Sequence, residues 1–242
     1  MSSESPPTLD NDECEKLLDV LKNNTHTPAK ARKAVRNYCM ALLMLDAGLR
    51  VGELVALRMQ DLYFNSLPVN TIFIKPHQTK NKVAHEIPVS SRLAESLRAY
   101  FSEWFLCDVV NLEGFAFYSG SEDRPITTRQ VERIICAAGW KAFGRPVHPH
   151  VLRHTAGSTW MRVTNTSTVQ GLLGHKYLSS TQVYCHPNAE DKRLAIESAS
   201  TLPSRLKAAD QVLEDSTESA EHNRPGPQPA AQIGPLPGSH GW

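Results

Sequence analysis

Four polar side chains of complementary chemistry lie in the run from His148 to Pro187: His150, Arg153, His175 and Tyr184. His150 and Arg153 are three apart, so a helix opened at Pro149 would set them on one face. A guanidinium beside an imidazole makes a fitting cradle for a phosphate. The arginine supplies a rigid fork of donors, and the histidine supplies a proton acceptor that titrates near neutrality. Tyr184 follows His175 by nine residues. A tyrosine hydroxyl, with an ordinary pKa of about 10, is a poor nucleophile at neutral pH. To attack a phosphodiester it needs a base or positive surroundings, and fixed donors to hold the developing charge.

Three pieces of this run occur in order: His150-Val151-Leu152-Arg153-His154, Leu172-Leu173-Gly174-His175 and Thr181-Gln182-Val183-Tyr184. A fourth lies upstream, where AGLRVGELVALRMQDL contains Gly48, Leu49, Arg50, Glu53, Leu54, Leu57 and Asp61. Together they resemble the catalytic domain of the tyrosine recombinase (phage integrase) family, over roughly residues 8–200. The resemblance implies an α+β fold, mostly helical with a small antiparallel sheet. It implies that Arg50 and Arg153 clamp the non-bridging oxygens of a phosphate, that His175 donates to it, and that His150 acts as general base toward Tyr184. The family also has a lysine in a hairpin loop that protonates the departing 5′ oxygen. Counting back from Pro88, that residue is Lys80, with Lys82 and Lys75 as rivals. Lysine, a mobile ammonium on a flexible stem, suits that task better than arginine. Glu53 and Asp61 read as orienting partners.

The product implied is a 3′-phosphotyrosine link with a free 5′-hydroxyl, which a second 5′-hydroxyl can reverse. No metal or cofactor is called for, and the absence of a G-x-x-x-x-G-K phosphate loop agrees with chemistry independent of ATP. The partner implied is double-stranded DNA carrying a specific site, held by a homotetramer whose C-terminal segment, residues 189–200, exchanges between subunits. Typical members carry an N-terminal helical domain that closes a clamp on DNA; here fewer than thirty residues precede the catalytic region. Three readings follow: a site-specific recombinase, a catalytically silent DNA-binding accessory protein or remnant of a mobile element, and a type IB-like topoisomerase.

Other residues fit less well. His154 reads as a packing residue, and Tyr177 lies too near His175 for the family spacing. His77, His85 and His186 fall outside the pattern. Cys185 adjoins Tyr184, but the family arrangement places no base for a thiol there. The arginine and the lack of nearby carboxylates oppose metal ligation by the histidines.

The elements that must carry these residues can be read from periodicity. Thr8 to Leu21 opens and forms a helix, and Ala29 begins a longer one that stops at Gly48. Thr71–Lys75 and Ala84–Val89 alternate as the two strands of a hairpin joined by a polar turn. Helices are expected over 90–105, with Ser91 as cap, over 126–143 and over 191–199, and a short strand within 112–119. Gly174-His175 separates two short helices. Residues 1–7 and the Pro/Gly/Ser-rich stretch 201–242 read as disordered.

Net charge is only +1, but its distribution is uneven. Residues 28–204 hold 21 basic against 14 acidic residues, and the acidic surplus lies at both ends. A basic middle suits phosphate binding. No run of about 18 apolar residues is present, the N-terminus is unlike a secretory signal, and the five cysteines are scattered without CxxC spacing. A reducing cytoplasm is the setting these features predict.

Overall fold

The computed structural model describes residues 7–23, 27–79, 82–105 and 111–184, together with Arg193, Ile196 and Glu197. The chain divides after His186 into two units. In the second unit Arg193 and Glu197, one helical turn apart, pair at 2.8 Å. The tail expected to be disordered, nearly all of the helix expected over 191–199, and the first six residues lie outside the described residues.

Helix α1 (Asn11–Lys22) begins with a reciprocal cap. Asp10 accepts the Glu13 N–H at 2.8 Å while Glu13 accepts that of Asp10 at 3.2 Å;. Leu9, just ahead of it, is tied to α7 (Pro149–Met161) by a hydrogen bond from its N–H to Thr155 Oγ1. Helix α2 (Pro28–Leu45) carries the central apolar run, with Cys39 to Met44 fully buried. Its last turn runs on to Gly48 at φ +61°, and Leu49 N–H reaches back to Leu43 O at 3.1 Å. This is the left-handed closure that glycine permits. A Cβ at Gly48 would stand 2.7 Å from the Trp160 ring of α7, so the position is restricted twice over.

Two short helices follow, α3 (Val51–Ala56) and α4 (Met59–Leu62), then a small hairpin, β1 (Tyr63–Phe64) and β2 (Leu67–Pro68). The expected hairpin is β3 (Thr71–Ile74) against β4 (His85–Pro88), antiparallel with Ile72 opposite Ile87 and Ile74 opposite His85. Ile72, Ile74 and Ile87 point inward. Helix α5 (Ser91–Phe105) packs on α2. Its cap is Ser90 rather than Ser91, because Ser90 Oγ accepts the Leu93 N–H. Strands β5 (Tyr118–Ser119) and β6 (Ser121–Pro125) pair next, so the expected apolar strand over 112–119 is only its last two residues. Helix α6 (Thr128–Phe143) ends at Gly144, in the left-handed region at φ +67°.

After α7 come α8 (Thr166–Leu173) and α9 (Ser179–Gln182), with Gly174-His175 between them as expected. The architecture is therefore α+β: among the described residues, helices surround the main apolar core and three two-stranded antiparallel sheets accompany them. A satellite cluster of Val169, Leu173 and Tyr184, flanked by Trp160 and Met161, seats the C-terminal part of the site. No helix among the described residues is long and apolar enough to cross a membrane.

Candidate active site

The centre of the site is Arg153, 4% exposed on the inner face of α7. Its guanidinium is held from three directions. Nη1 donates to Gly48 O at 2.6 Å, and Nη2 donates to Leu173 O at 2.7 Å and contacts His175 Nε2 at 3.2 Å. The left-handed turns at Gly48 and Gly174 present these carbonyls, which is why glycines flank the arginine in space. Burial, then the neighbouring Arg50, lowers its pKa to about 10, so it keeps its charge at neutral pH.

Arg50 stands at the start of α3, with its side chain 22% exposed. Glu53, 1% exposed, accepts the Arg50 backbone N–H at 2.8 Å and the guanidinium at 2.7 Å, and approaches Arg153 at 3.5 Å. One buried carboxylate thus neutralises part of two guanidiniums that would otherwise repel each other. Asp61, the other expected orienting partner, faces elsewhere: it takes Lys75 Nζ at 2.7 Å and the Arg58 backbone N–H at 2.9 Å.

His175 follows the C-terminal turn of α8. A guanidinium can only donate, so His175 Nε2 accepts from Arg153. The proton therefore sits on Nδ1, which donates to Thr181 Oγ1 at 2.9 Å. Burial first, then Arg153 and Arg50, lowers the His175 pKa to about 4, leaving a neutral ring.

Tyr184 is 7% exposed. Its ring lies nearly parallel to that of His175, 12° between planes and 6.3 Å between centroids. Its other side rests over Gly157, where a Cβ would come within 3.1 Å of the ring. Its hydroxyl meets His154 Nδ1 at 3.0 Å. Burial raises the hydroxyl pKa above its ordinary value, and Arg153 and Arg50 pull it back.

Of the six residues singled out in the sequence, four converge here: Arg50, Arg153, His175 and Tyr184. His150 is exposed on the first turn of α7 and makes no hydrogen bond with another described residue. Lys80 lies outside the described residues. Of its rivals, Lys75 is engaged by Asp61, while Lys82 is exposed in the hairpin loop at φ +52°.

Three contributors escaped the sequence reading. His154, expected to pack structurally, is the hydroxyl's partner. Thr181 holds the His175 ring. His85, on β4, is 7% exposed, and among the described residues neither ring nitrogen meets a partner at hydrogen-bond geometry. It lies so close to Gly174 that a Cβ there would stand 2.4 Å from His85 Nδ1. Desolvation lowers its pKa, opposed by the charge of Glu53. The available signals were the glycines at 157 and 174, each of which leaves room for an aromatic ring.

The sequence pattern of the phage integrase family matches residues 7–191. The chain belongs to that family. Tyrosine recombinase XerC of Azotobacter vinelandii is 33% identical over 182 residues, covering 75% of this chain and 56% of the relative. A tyrosine recombinase of Pseudothermotoga lettingae is 37% identical over 166 residues, covering 68% and 54%. Among solved structures, the XerA recombinase superposes with a TM-score of 0.64 at 25% identity, over 81% of this chain and 66% of that one. The XerH site-specific recombinase bound to difH substrate, a pre-cleavage complex, gives 0.59 at 25% identity, over 85% and 56%. This integrase-family chain spans about half the length of the curated relatives it matches, and its fold is that of the tyrosine recombinases.

Proposed function

We propose that this chain is a site-specific DNA recombinase, cutting and rejoining DNA through a 3′-phosphotyrosine intermediate. The observation that carries this reading is the gathering of Arg50 and Arg153 about one buried carboxylate, with His175 against Arg153 and the Tyr184 ring stacked on that of His175, where both arginine charges act on its hydroxyl. Arg153 is already desolvated and anchored, and the Nη2 donor that now meets His175 Nε2 is proposed to pass to a non-bridging phosphate oxygen once that ring turns donor;. Arg50, more exposed and braced by Glu53, takes the second oxygen. His175 donates to the phosphate after a change of tautomer or uptake of a proton. An arriving phosphate favours both, because its charge opposes that of the arginines which keep the ring neutral. Lys80 is the proposed acid for the departing 5′ oxygen. His150, exposed on the first turn of α7, is the residue to which the resemblance assigns the base.

The proposed partner is double-stranded DNA carrying a specific site, a reading in keeping with the XerH recombinase bound to its difH substrate, and the proposed acting form is a homotetramer on that DNA. Binding by a basic surface of this kind weakens steeply with salt.

The test is a suicide duplex, nicked near the scissile phosphate and drawn from DNA flanking the gene. Wild-type protein and Tyr184→Phe are run on a denaturing gel. A covalent DNA band present with the first and absent with the second establishes the nucleophile and the reaction class. Binding with no adduct on any flanking duplex would instead favour the silent DNA-binding reading. Relaxation of supercoiled plasmid lacking the site would favour the topoisomerase.

A further inference from the structure

We infer that His85 is a positioning residue for the phosphate cradle: its buried imidazole, wedged from β4 against the Gly174 turn, holds His175 and the carbonyl that anchors Arg153. The inference rests on the recombinase reading above. On one side His85 is fixed by the hairpin, opposite Ile74 in the β3–β4 register and two residues before the buried Ile87. On the other, its ring fills the space that Gly174 leaves, where an added Cβ would collide with Cγ, Nδ1 and Cε1. Helix α8 packs on the same strand. Gly174 lies between the two groups that meet one nitrogen of the arginine. Leu173 O accepts from Arg153 Nη2 at 2.7 Å, and His175 Nε2 lies 3.2 Å from that same nitrogen. Whatever supports Gly174 therefore sets both contacts at once.

Packing alone does not account for an imidazole here. Among the described residues neither ring nitrogen has a partner at hydrogen-bond geometry. An apolar side chain of similar size would be buried without that desolvation cost. The nitrogens lie instead in the field of the site. Desolvation is the chief influence against a proton on the ring; the Glu53 carboxylate and the Val83 backbone favour one, and Arg153 and Arg50 oppose it. Glu53 and Arg50 act on it from α3, Arg153 from α7, His175 from the turn after α8, and Val83 from the hairpin itself. The ring is neutral at rest, and it adds to the influences that keep His175 neutral. One side chain from the hairpin thus fixes both where the phosphate donors stand and the resting form of the histidine among them. His85 acts through the turn, not on the reacting atoms.

The rate of covalent adduct formation on the suicide duplex, at saturating DNA, is compared for the full chain, His85→Leu, His175→Ala and the double variant. Leucine keeps most of the volume but is neither flat nor polar. Adduct formation in His85→Leu should slow roughly ten- to a hundredfold, the scale for a reacting group displaced by about an ångström. DNA affinity and the urea midpoint should be retained. Because the effect passes partly through His175, the double variant should lose clearly less than the product of the two single losses. Wild-type rates in His85→Leu, multiplicative losses, or a loss that only follows a lowered midpoint would overturn the assignment. Should leucine not fit beside Gly174, His85→Asn, too short to support the turn, is measured against the same criteria.

A second readout needs no DNA. In protein labelled with ¹⁵N-histidine, His85→Leu should move the His175 Nδ1 resonance and raise the pH at which His175 titrates, since one of the influences lowering it is gone. An unmoved resonance and titration also overturn the assignment. A wild-type chain that binds DNA yet forms no adduct, with the His175 shift present, would sink the recombinase reading and the kinetic role while leaving the contact standing. The two failures are therefore distinguishable.

Discussion

Glu53 is the residue on which the charge balance of the site turns. It is 1% exposed and supports Arg50 through both side chain and backbone, with Arg153 a further 3.5 Å away. Removing one member of a buried ionic cluster leaves the others uncompensated, which typically costs about 3–5 kcal/mol. Glu53→Ala should therefore lower unfolding stability by roughly 3 kcal/mol, since Arg50 can partly recover solvent. Glu53→Gln should cost less, because its amide oxygen can still accept the Arg50 N–H. Urea unfolding of the three proteins checks the order, and equal midpoints for Ala and Gln would contradict it. His154 shows what a family pattern conceals at this scale. In the sequence it is simply the neighbour of Arg153, and a change of one position rotates a helical side chain by about 100°. Only the placement of Tyr184 after α9 makes it the hydroxyl's partner, and that placement depends on long-range packing over Gly157.

At the scale of elements, the turn after α8 joins three parts of the site. Gly174 adopts φ +58°, its preceding carbonyl at Leu173 receives Arg153, and its α-carbon faces the buried His85 ring of β4. Gly174→Ala should meet both a left-handed backbone penalty and a 2.4 Å approach to a ring fixed in a strand. A destabilisation of roughly 2 kcal/mol or more is expected. Gly174→Ala with His85→Ala should recover part of it, and additive losses in a denaturant series would show that the two do not meet. Elements with strong periodicity or marked caps were legible: α1 by Asp10 and Glu13, α2 by its apolar run and Gly48, the β3–β4 hairpin by alternation. The β1–β2 hairpin was not, because two-residue strands have no period to read. Its only mark is Asn65-Ser66, both at positive φ, the type of turn that matches strand twist;. Likewise β6, SEDRP, has no apolar alternation and forms by pairing with β5. For the site, motif spacing located Arg50, Arg153, His175 and Tyr184. It could not separate exposed His150 from the inward His154, since a motif records type and order but not which way a helix faces the core.

For the whole molecule, the joining of helices α7 and α8 to hairpin β3–β4 places three histidines, His85, His154 and His175, where burial is the first cause lowering each pKa. An unfolded histidine titrates near about 6.5, whereas folded His175 titrates near about 4. Between those values the unfolded chain binds more protons than the folded one. Stability therefore rises with pH across this window, and is lost as pH falls from about 6.5 toward 4. His85 and His154 act in the same direction. The melting midpoint should accordingly drop between pH 7 and pH 5, on the order of a few degrees for a domain of this size. The fall should be smaller in His175→Gln, which cannot titrate but can still accept from Arg153. A midpoint unchanged by acidification, or an undiminished fall in the variant, would mean that these rings are hydrated in solution. A phosphate shifts the same balance the other way: by stabilising protonated His175, it should make DNA binding take up protons near pH 6. Calorimetric titration in two buffers of different ionisation enthalpy measures that uptake. Finding none would show that His175 meets the phosphate by tautomer change alone.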